Sequence, residues 1–179
     1  MYSDTLIIIF AREPLAGQVK TRLIPALGAE GACHLYKQLL EHTLTTCIES
    51  ALADIQLCIT PESHTAYFNN LSQEKYFQLA IQSGEDLGKR MFNAIVSALK
   101  YYKKVLLIGT DCPFINADDL QQAINVLDNY EMVFSPAHDG GYVLVGGKTI
   151  KAEIFSDISW GSDRVMQQTR RCLTNTDLS

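Results

Sequence analysis

Long hydrophobic runs are missing from this sequence. The longest early apolar stretch, residues 6–11, is too short to span a membrane or form a signal-peptide core, and Asp4 precedes it where a signal would carry positive charge. Also missing is any C-x-x-C pair. Cys33, Cys47, Cys58, Cys112 and Cys172 form an odd, scattered set, poor material for a disulfide framework or a zinc site. Positive charge is in deficit: 15 Lys and Arg against 20 Asp and Glu leave a net charge of −5. That balance argues against nucleic acid or a membrane surface as partner, although a local basic cluster can still hold a small anion. Disorder is excluded as well, because 47% of the residues are hydrophobic. No repeat, low-complexity tract or linker divides the 179 residues, a length suited to one domain with a sizeable core. These exclusions predict a reduced, cytoplasmic, globular protein.

What is present is an alternation of short apolar runs with helical spacing. Residues 6–11 hold three consecutive isoleucines, as expected of a strand buried on both faces. From 29 to 51 apolar residues recur at the spacing of one helix face, through Leu39, Leu40, Leu44 and Ile48. The same reasoning predicts strands at 55–60, 77–82, 105–109, 132–135 and 142–145. It predicts a short helix at 64–71, longer helices at 86–100 and 116–127, and a last helix from near Ser162. Asn116 ahead of Asp118 and Asp119 supplies a helix start, an N-cap with acids in the first turn. The alternation predicts a three-layer α/β/α sandwich with a mostly parallel sheet.

In such sheets ligands bind beyond the carboxyl ends of the strands. After residues 6–11 the chain carries Arg12, Lys20 and Arg22, with Gly17 between them. Glycine lets backbone N–H groups approach an anion, and an arginine fork matches phosphate oxygens. An ordinary solvated loop is the plainer alternative, but the position favours phosphate. Neither a Walker A loop nor a dinucleotide fingerprint is present. After residues 105–109 comes Thr110-Asp111-Cys112-Pro113, a carboxylate at a buried strand end. Mg²⁺ suits it, since Mg²⁺ takes one or two carboxylates, several waters and substrate phosphates. Asp111 as a simple turn cap is the alternative. Asp139-Gly140-Gly141-Tyr142 reads as a hairpin turn, which is compatible with a substrate lying close to the backbone. Trp160 reads equally as a core plug or a stacking wall. Residues 84–91, read alone, are a capped and charged helix start.

Taken together, FAREPLAGQVKTRL (10–23), GEDLGKRM (84–91), GTDCPFI (109–115), SPAHDGGYVLVG (135–146) and ISWGSDRVMQQT (158–169) resemble a bacterial family of GT-A-type glycosyltransferases. That family lies in the nucleotide-diphospho-sugar transferase superfamily and is associated in part with arsenosugar biosynthesis. The resemblance implies one such domain over residues 1–179, binding a nucleotide or nucleotide-sugar substrate with Mg²⁺ or Mn²⁺. It places Arg12, Gly17, Lys20 and Arg22 on phosphates and Asp111 on the metal. Asp86 and Lys89 would lie near the nucleotide, and Asp139, Gly140, Gly141 and Tyr142 would face sugar or acceptor. The superfamily also contains nucleotidyltransferases, among them molybdenum-cofactor guanylyltransferases.

Two departures stand out. GT-A enzymes carry Asp-x-Asp, whereas Asp111 is followed by Cys112-Pro113. Relatives usually continue to an acidic Asp-x-Asp-Thr-like segment, whereas this sequence ends at Asp177-Leu178-Ser179. The expectation is therefore a domain shortened at its carboxyl end, with a second metal ligand from elsewhere, Asp139 being the candidate. A chain that folds but has little or no transferase activity, with self-association into a homo-oligomer, is expected with it. The expected chemistry is electrostatic: metal and cationic loop stabilise the departing diphosphate, and Asp139 contacts the acceptor or acts as base. Cys112 is expected to be a small apolar residue rather than a nucleophile. A nucleotidyltransferase releasing pyrophosphate, or a non-catalytic nucleotide-binding module, are the rival readings.

Overall fold

The computed structural model describes residues 4–62, 65–74 and 76–178. Six strands form one sheet: β1 (Thr5–Ala11), β2 (Asp54–Ile59), β3 (Gln78–Ile81), β4 (Lys104–Gly109), β5 (Met132–Pro136) and β6 (Tyr142–Gly147). Their spatial order is β3-β2-β1-β4-β6-β5. β1, β2, β3 and β4 are mutually parallel, while β6 runs antiparallel to both β4 and β5. The chain steps outward from β1 to β2 and β3, then returns to place β4 on the other side of β1. That reversal opens a crevice at the carboxyl ends of β1 and β4, the usual ligand position in open α/β sheets.

Strand periodicity decides which helices cover which face. Ile7, Ile9 and Ala11 point to one side, where they pack with Leu40 and Leu44 of α1 (Ile24–Ser50), Phe68 of α2 (Thr65–Glu74) and Leu120 and Leu127 of α4 (Ala117–Asn129). Leu6 and Ile8 point to the other, against Met91 and Ile95 of α3 (Leu87–Ala98) and Leu173 of α5 (Val165–Thr174). Both faces of β1 are covered, which is why its sequence shows no polar alternation. This is the three-layer α/β/α sandwich that the sequence predicts. Among the described residues, no helix is long and apolar enough to cross a membrane.

Boundaries shift where local geometry intervenes. The long helix starts in earnest after Gly28, whose φ of 71° breaks the segment begun at Ile24. The helix expected at 64–71 is Thr65–Glu74, and His64 lies outside the described residues. β3 ends one residue before Gln82, whose side chain turns across the ends of β1 and β2. The last helix begins at Val165 rather than near Ser162, because Gly161 adopts a φ of 80° and residues 159–162 close a turn. A 3₁₀ turn at Ala152–Phe155 was not legible in the sequence.

The start of α4 follows expectation closely. Asn116 accepts from the Asp119 N–H at 3.0 Å, and Asp119 accepts from the Asn116 N–H at 3.1 Å, a reciprocal capping box. Replacing Asn116 by Ala is expected to cost about 1 kcal/mol of unfolding free energy. Urea denaturation of Asn116→Ala against wild type checks this, and an unchanged midpoint would contradict it.

Candidate active site

The loop after β1 is held from behind by α1. The Tyr36 hydroxyl accepts from the Arg12 N–H at 2.8 Å and donates to the Arg12 carbonyl at 3.2 Å. Two residues on, the Cys33 thiol donates to the Pro14 carbonyl at 3.0 Å. Val19, 4% exposed, packs against Cys33 and Tyr36 in a small cluster of its own. Gly17 turns the loop at a φ of 82° and does not line the cleft described next. Burial pushes the Tyr36 phenol above its ordinary value of 10, against the lowering effect of the bond from the Arg12 backbone. The other side of the loop faces β4, so this clamp sets where its cations stand.

A cleft of about 800 Å³ opens here, at the carboxyl ends of β1 and β4. Its walls include Arg12, Lys20 and Arg22 from the first loop, Asp86 and Arg90 from the start of α3, and Asp111 beyond β4. With Glu85 it holds four cations against three carboxylates, 4 − 3 = +1, in a protein of net charge −5. The Lys20 ammonium lies 3.0 Å from an Asp111 carboxylate oxygen. Among the described residues neither Arg12 nor Arg22 forms an ion pair. Arg90 is tied down: its Nε donates to the Gly84 carbonyl at 3.1 Å, and Glu62 lies 3.7 Å from its guanidinium. Asp86 caps α3 by accepting from the Lys89 N–H at 2.7 Å. That fixes one carboxylate oxygen of Asp86 to the helix start.

Sequence reasoning passed over Tyr36, Gln82 and Glu62. Tyr36 reads as one more apolar position on a helix face, and only the tertiary contact reveals its hydroxyl's work. Gln82 is 5% exposed, and its amide nitrogen donates to the carbonyls of Cys58 at 2.9 Å and Ala11 at 3.4 Å. Those two carbonyls dictate the amide's orientation and leave its oxygen as an acceptor on the cleft wall. Its polarity at a strand end was the available signal.

Other candidates fall outside the cleft. Lys89 turns to Glu85 one helical turn back. It lines a neighbouring hollow of about 530 Å³ with Phe92, Phe155 and Trp160. Trp160 settles as both plug and wall: a Cβ on Gly88 would stand 2.8 Å from its ring, and the residue also lines that hollow. Asp139 is exposed and accepts from the Gly141 N–H at 3.0 Å, an ordinary Asx turn in the β5–β6 hairpin. Gly140 is required there, since a Cβ at its φ of 85° would collide with the Asp163 carbonyl. Gly141 sits in the same turn, which the Met166 N–H joins to the start of α5 by a 2.8 Å bond to Gly140 O. Tyr142 packs edge-on between Phe134 and Trp160, and burial raises its phenol's pKa. Its hydroxyl and that of Thr169 are buried without a well-formed hydrogen bond. All five cysteines are free thiols, and burial pushes Cys47 and Cys58 up to about 12. Cys112 packs against the core, as expected of a small apolar residue.

The clamp makes a prediction of its own. Tyr36→Phe strips both bonds from the Arg12 peptide and is expected to cost about 1–3 kcal/mol in urea. Because the folded-state pKa of Tyr36 is raised, its contribution is intact below pH 10 and is lost as pH rises through the raised value. Stability above pH 10 is therefore expected to fall less steeply with pH in Tyr36→Phe than in wild type. Parallel pH profiles would contradict the assignment.

The profile of a bacterial family described as "Uncharacterized protein conserved in bacteria (DUF2064)" matches residues 43–162. A protein of Desulfovibrio desulfuricans G20, described provisionally as a nucleotide-diphospho-sugar transferase, superposes with a TM-score of 0.90 at 31% identity, over 99% of this chain and 78% of that one. The 4-diphosphocytidyl-2C-methyl-D-erythritol synthase of Anaerococcus prevotii DSM 20548 superposes with a TM-score of 0.62 at 13% identity, over 99% of this chain and 85% of that one. Rv0371c of Mycobacterium tuberculosis H37Rv, solved in complex with manganese, gives 0.56 at 14%, over 100% and 86%. At such low identity the last two speak for the fold alone. No curated protein matches the chain in sequence. The fold is of the nucleotide-diphospho-sugar transferase type, and the chain belongs to the DUF2064 family of bacterial proteins.

Proposed function

We propose that this chain is a transferase acting on a nucleotide-activated donor, and specifically that it moves a sugar from a nucleoside-diphosphate sugar to an acceptor. One observation carries the reading: a cleft with three loop cations opposite a strand-end carboxylate, at the sheet's switch point. A diphosphate is the ligand whose charge that arrangement matches. The resemblance at 31% identity to the Desulfovibrio protein supports it.

Asp111 is exposed and purely an acceptor, and the described residues hold no cluster of three or more His, Cys, Asp or Glu suited to a metal. That donor set fits Mg²⁺ or Mn²⁺ held by one carboxylate, waters and substrate phosphate oxygens together. When bound there, the ion supplies charge neutralisation to the departing diphosphate. Arg12, Lys20 and Arg22 would bind the same diphosphate and oppose its growing charge from a loop that Tyr36 and Val19 hold in advance. Asp86 and Arg90 would border the nucleoside, with Gln82 able to accept an N–H there. Asp139, at the hairpin on the same sheet edge, is proposed to meet the acceptor.

A nucleotidyltransferase is the second reading, favoured by the fold shared with the Anaerococcus synthase and by Cys112-Pro113 where Asp-x-Asp would stand. A thermal-shift panel of nucleoside triphosphates, nucleoside diphosphates and sugar nucleotides, with and without Mn²⁺, separates the possibilities. A ligand at 100 times its Kd is expected to add about 2.7 kcal/mol of apparent stability. Release of a nucleoside diphosphate from a sugar nucleotide supports the first reading, and pyrophosphate from a triphosphate the second. Asp111→Asn is expected to abolish the Mn²⁺-dependent part of nucleotide binding with the fold intact. Unchanged metal dependence would remove Asp111 from the site. Replacing Lys20 and Arg22 together by Ala is expected to weaken nucleoside diphosphates far more than bare nucleosides; equal losses would refute the phosphate assignment.

A further inference from the structure

We propose that Lys20 makes occupation of Asp111 by a divalent cation conditional on a diphosphate, by competing with the cation for the same carboxylate. The inference rests on the reading of Asp111 as the metal-binding carboxylate and deepens it. It says how the two ligands of that site regulate one another.

The geometry is specific. The Lys20 ammonium is 3.0 Å from Asp111 Oδ1, so a cation taking that oxygen meets a like charge already in contact with it. The lysine is not a free arm that can swing away at no cost. Its side chain is only 19% exposed, against 72% for Asp111. Its backbone is held in the left-handed region, at φ 49° and ψ 39°, where the 3₁₀ turn Thr21–Leu23 begins. The residue before it, Val19, is packed into α1 beside Cys33 and Tyr36. The stem is thus aimed into the cleft, and the ammonium needs an anion there.

A diphosphate resolves the competition. It offers Lys20 another anion, releases Asp111, and adds its own oxygens to the shell of the arriving cation. Cation and diphosphate then each raise the other's affinity, by the same factor because the linkage is reciprocal. Neither Arg12 nor Arg22 contests Asp111 in this way, since neither forms an ion pair among the described residues. The competition for Asp111 therefore resides in Lys20.

The test is Mn²⁺ alone, titrated into the full chain and followed by the electron paramagnetic resonance of the free ion. Lys20→Met and Lys20→Gln are both expected to bind Mn²⁺ about tenfold more tightly than wild type, within the usual range of coupling between ligands. Adding Asp111→Asn to Lys20→Met is expected to remove that gain. Thermal melts report whether each variant folds, and the two Lys20 variants guard against one failing to do so. Wild-type Mn²⁺ affinity in both folded Lys20 variants would overturn the proposal, as would a gain that survives Asp111→Asn. If Asp111→Asn leaves the metal dependence of nucleotide binding untouched, the metal assignment itself fails. If that dependence is lost while the Lys20 variants bind Mn²⁺ like wild type, only the competition fails.

Discussion

The peptide of Arg12 is gripped on both sides by one phenol, with the Tyr36 hydroxyl accepting from its N–H and donating to its carbonyl. Everything at the ligand edge depends on that grip. β1 ends at Ala11, so without it the next nine residues, 12–20, would be a solvated loop carrying Arg12 and Lys20 as mobile cations. With it, and with Val19 and the Cys33 thiol beside it, the loop becomes an extension of α1. The arginines and the lysine then stand opposite Asp111 before any ligand arrives. Pre-placement of this kind lets charges oppose a developing anion without reorganising, which is where electrostatic stabilisation is strongest.

The charge of the site is local and built against the charge of the whole. An acidic chain concentrates four cations around one crevice and engages several nearby carboxylates in local contacts. Asp86 caps α3, Glu62 restrains Arg90, and Glu85 holds Lys89 away from the cleft. The lining of the crevice is nonetheless net positive in a chain of net charge −5. Asp111 is the exception, and its partner Lys20 links the anion-binding and cation-binding halves of the site.

Much of the fold was legible because it follows from periodicity. Consecutive Ile7, Ile8 and Ile9 announce a strand with two covered faces, and the structure sends Ile7 and Ile9 to one layer and Ile8 to the other. Asn116 and Asp119 form their capping box within four residues. Contacts of that range need no knowledge of the rest of the chain. Interruptions were harder. Gly28, Gly161 and the 3₁₀ turn at Ala152–Phe155 depend on where the chain must bend to dock on its neighbours, and no pattern of apolar residues records that.

For the site, the sequence by itself determined the chemistry on offer: Arg12, Lys20 and Arg22 after one apolar strand, and Asp111 after another. The tertiary structure alone decided that these strands are neighbours, so that Lys20 and Asp111, ninety-one positions apart (111 − 20 = 91), meet at 3.0 Å. It alone separated residues alike in sequence terms, leaving Asp139, Gly140 and Gly141 in a hairpin turn pinned to α5 and Tyr142 at the start of β6, all outside the cleft. It also gave Tyr36 and Gln82 their parts. Each joins a side-chain polar group to backbone atoms far away in the chain, across 24 positions for Tyr36 and 71 for the Gln82 contact with Ala11. Local spacing governs hydrogen bonds within a turn or a helix, whereas a bond of this kind exists only once strand order has brought its two ends together.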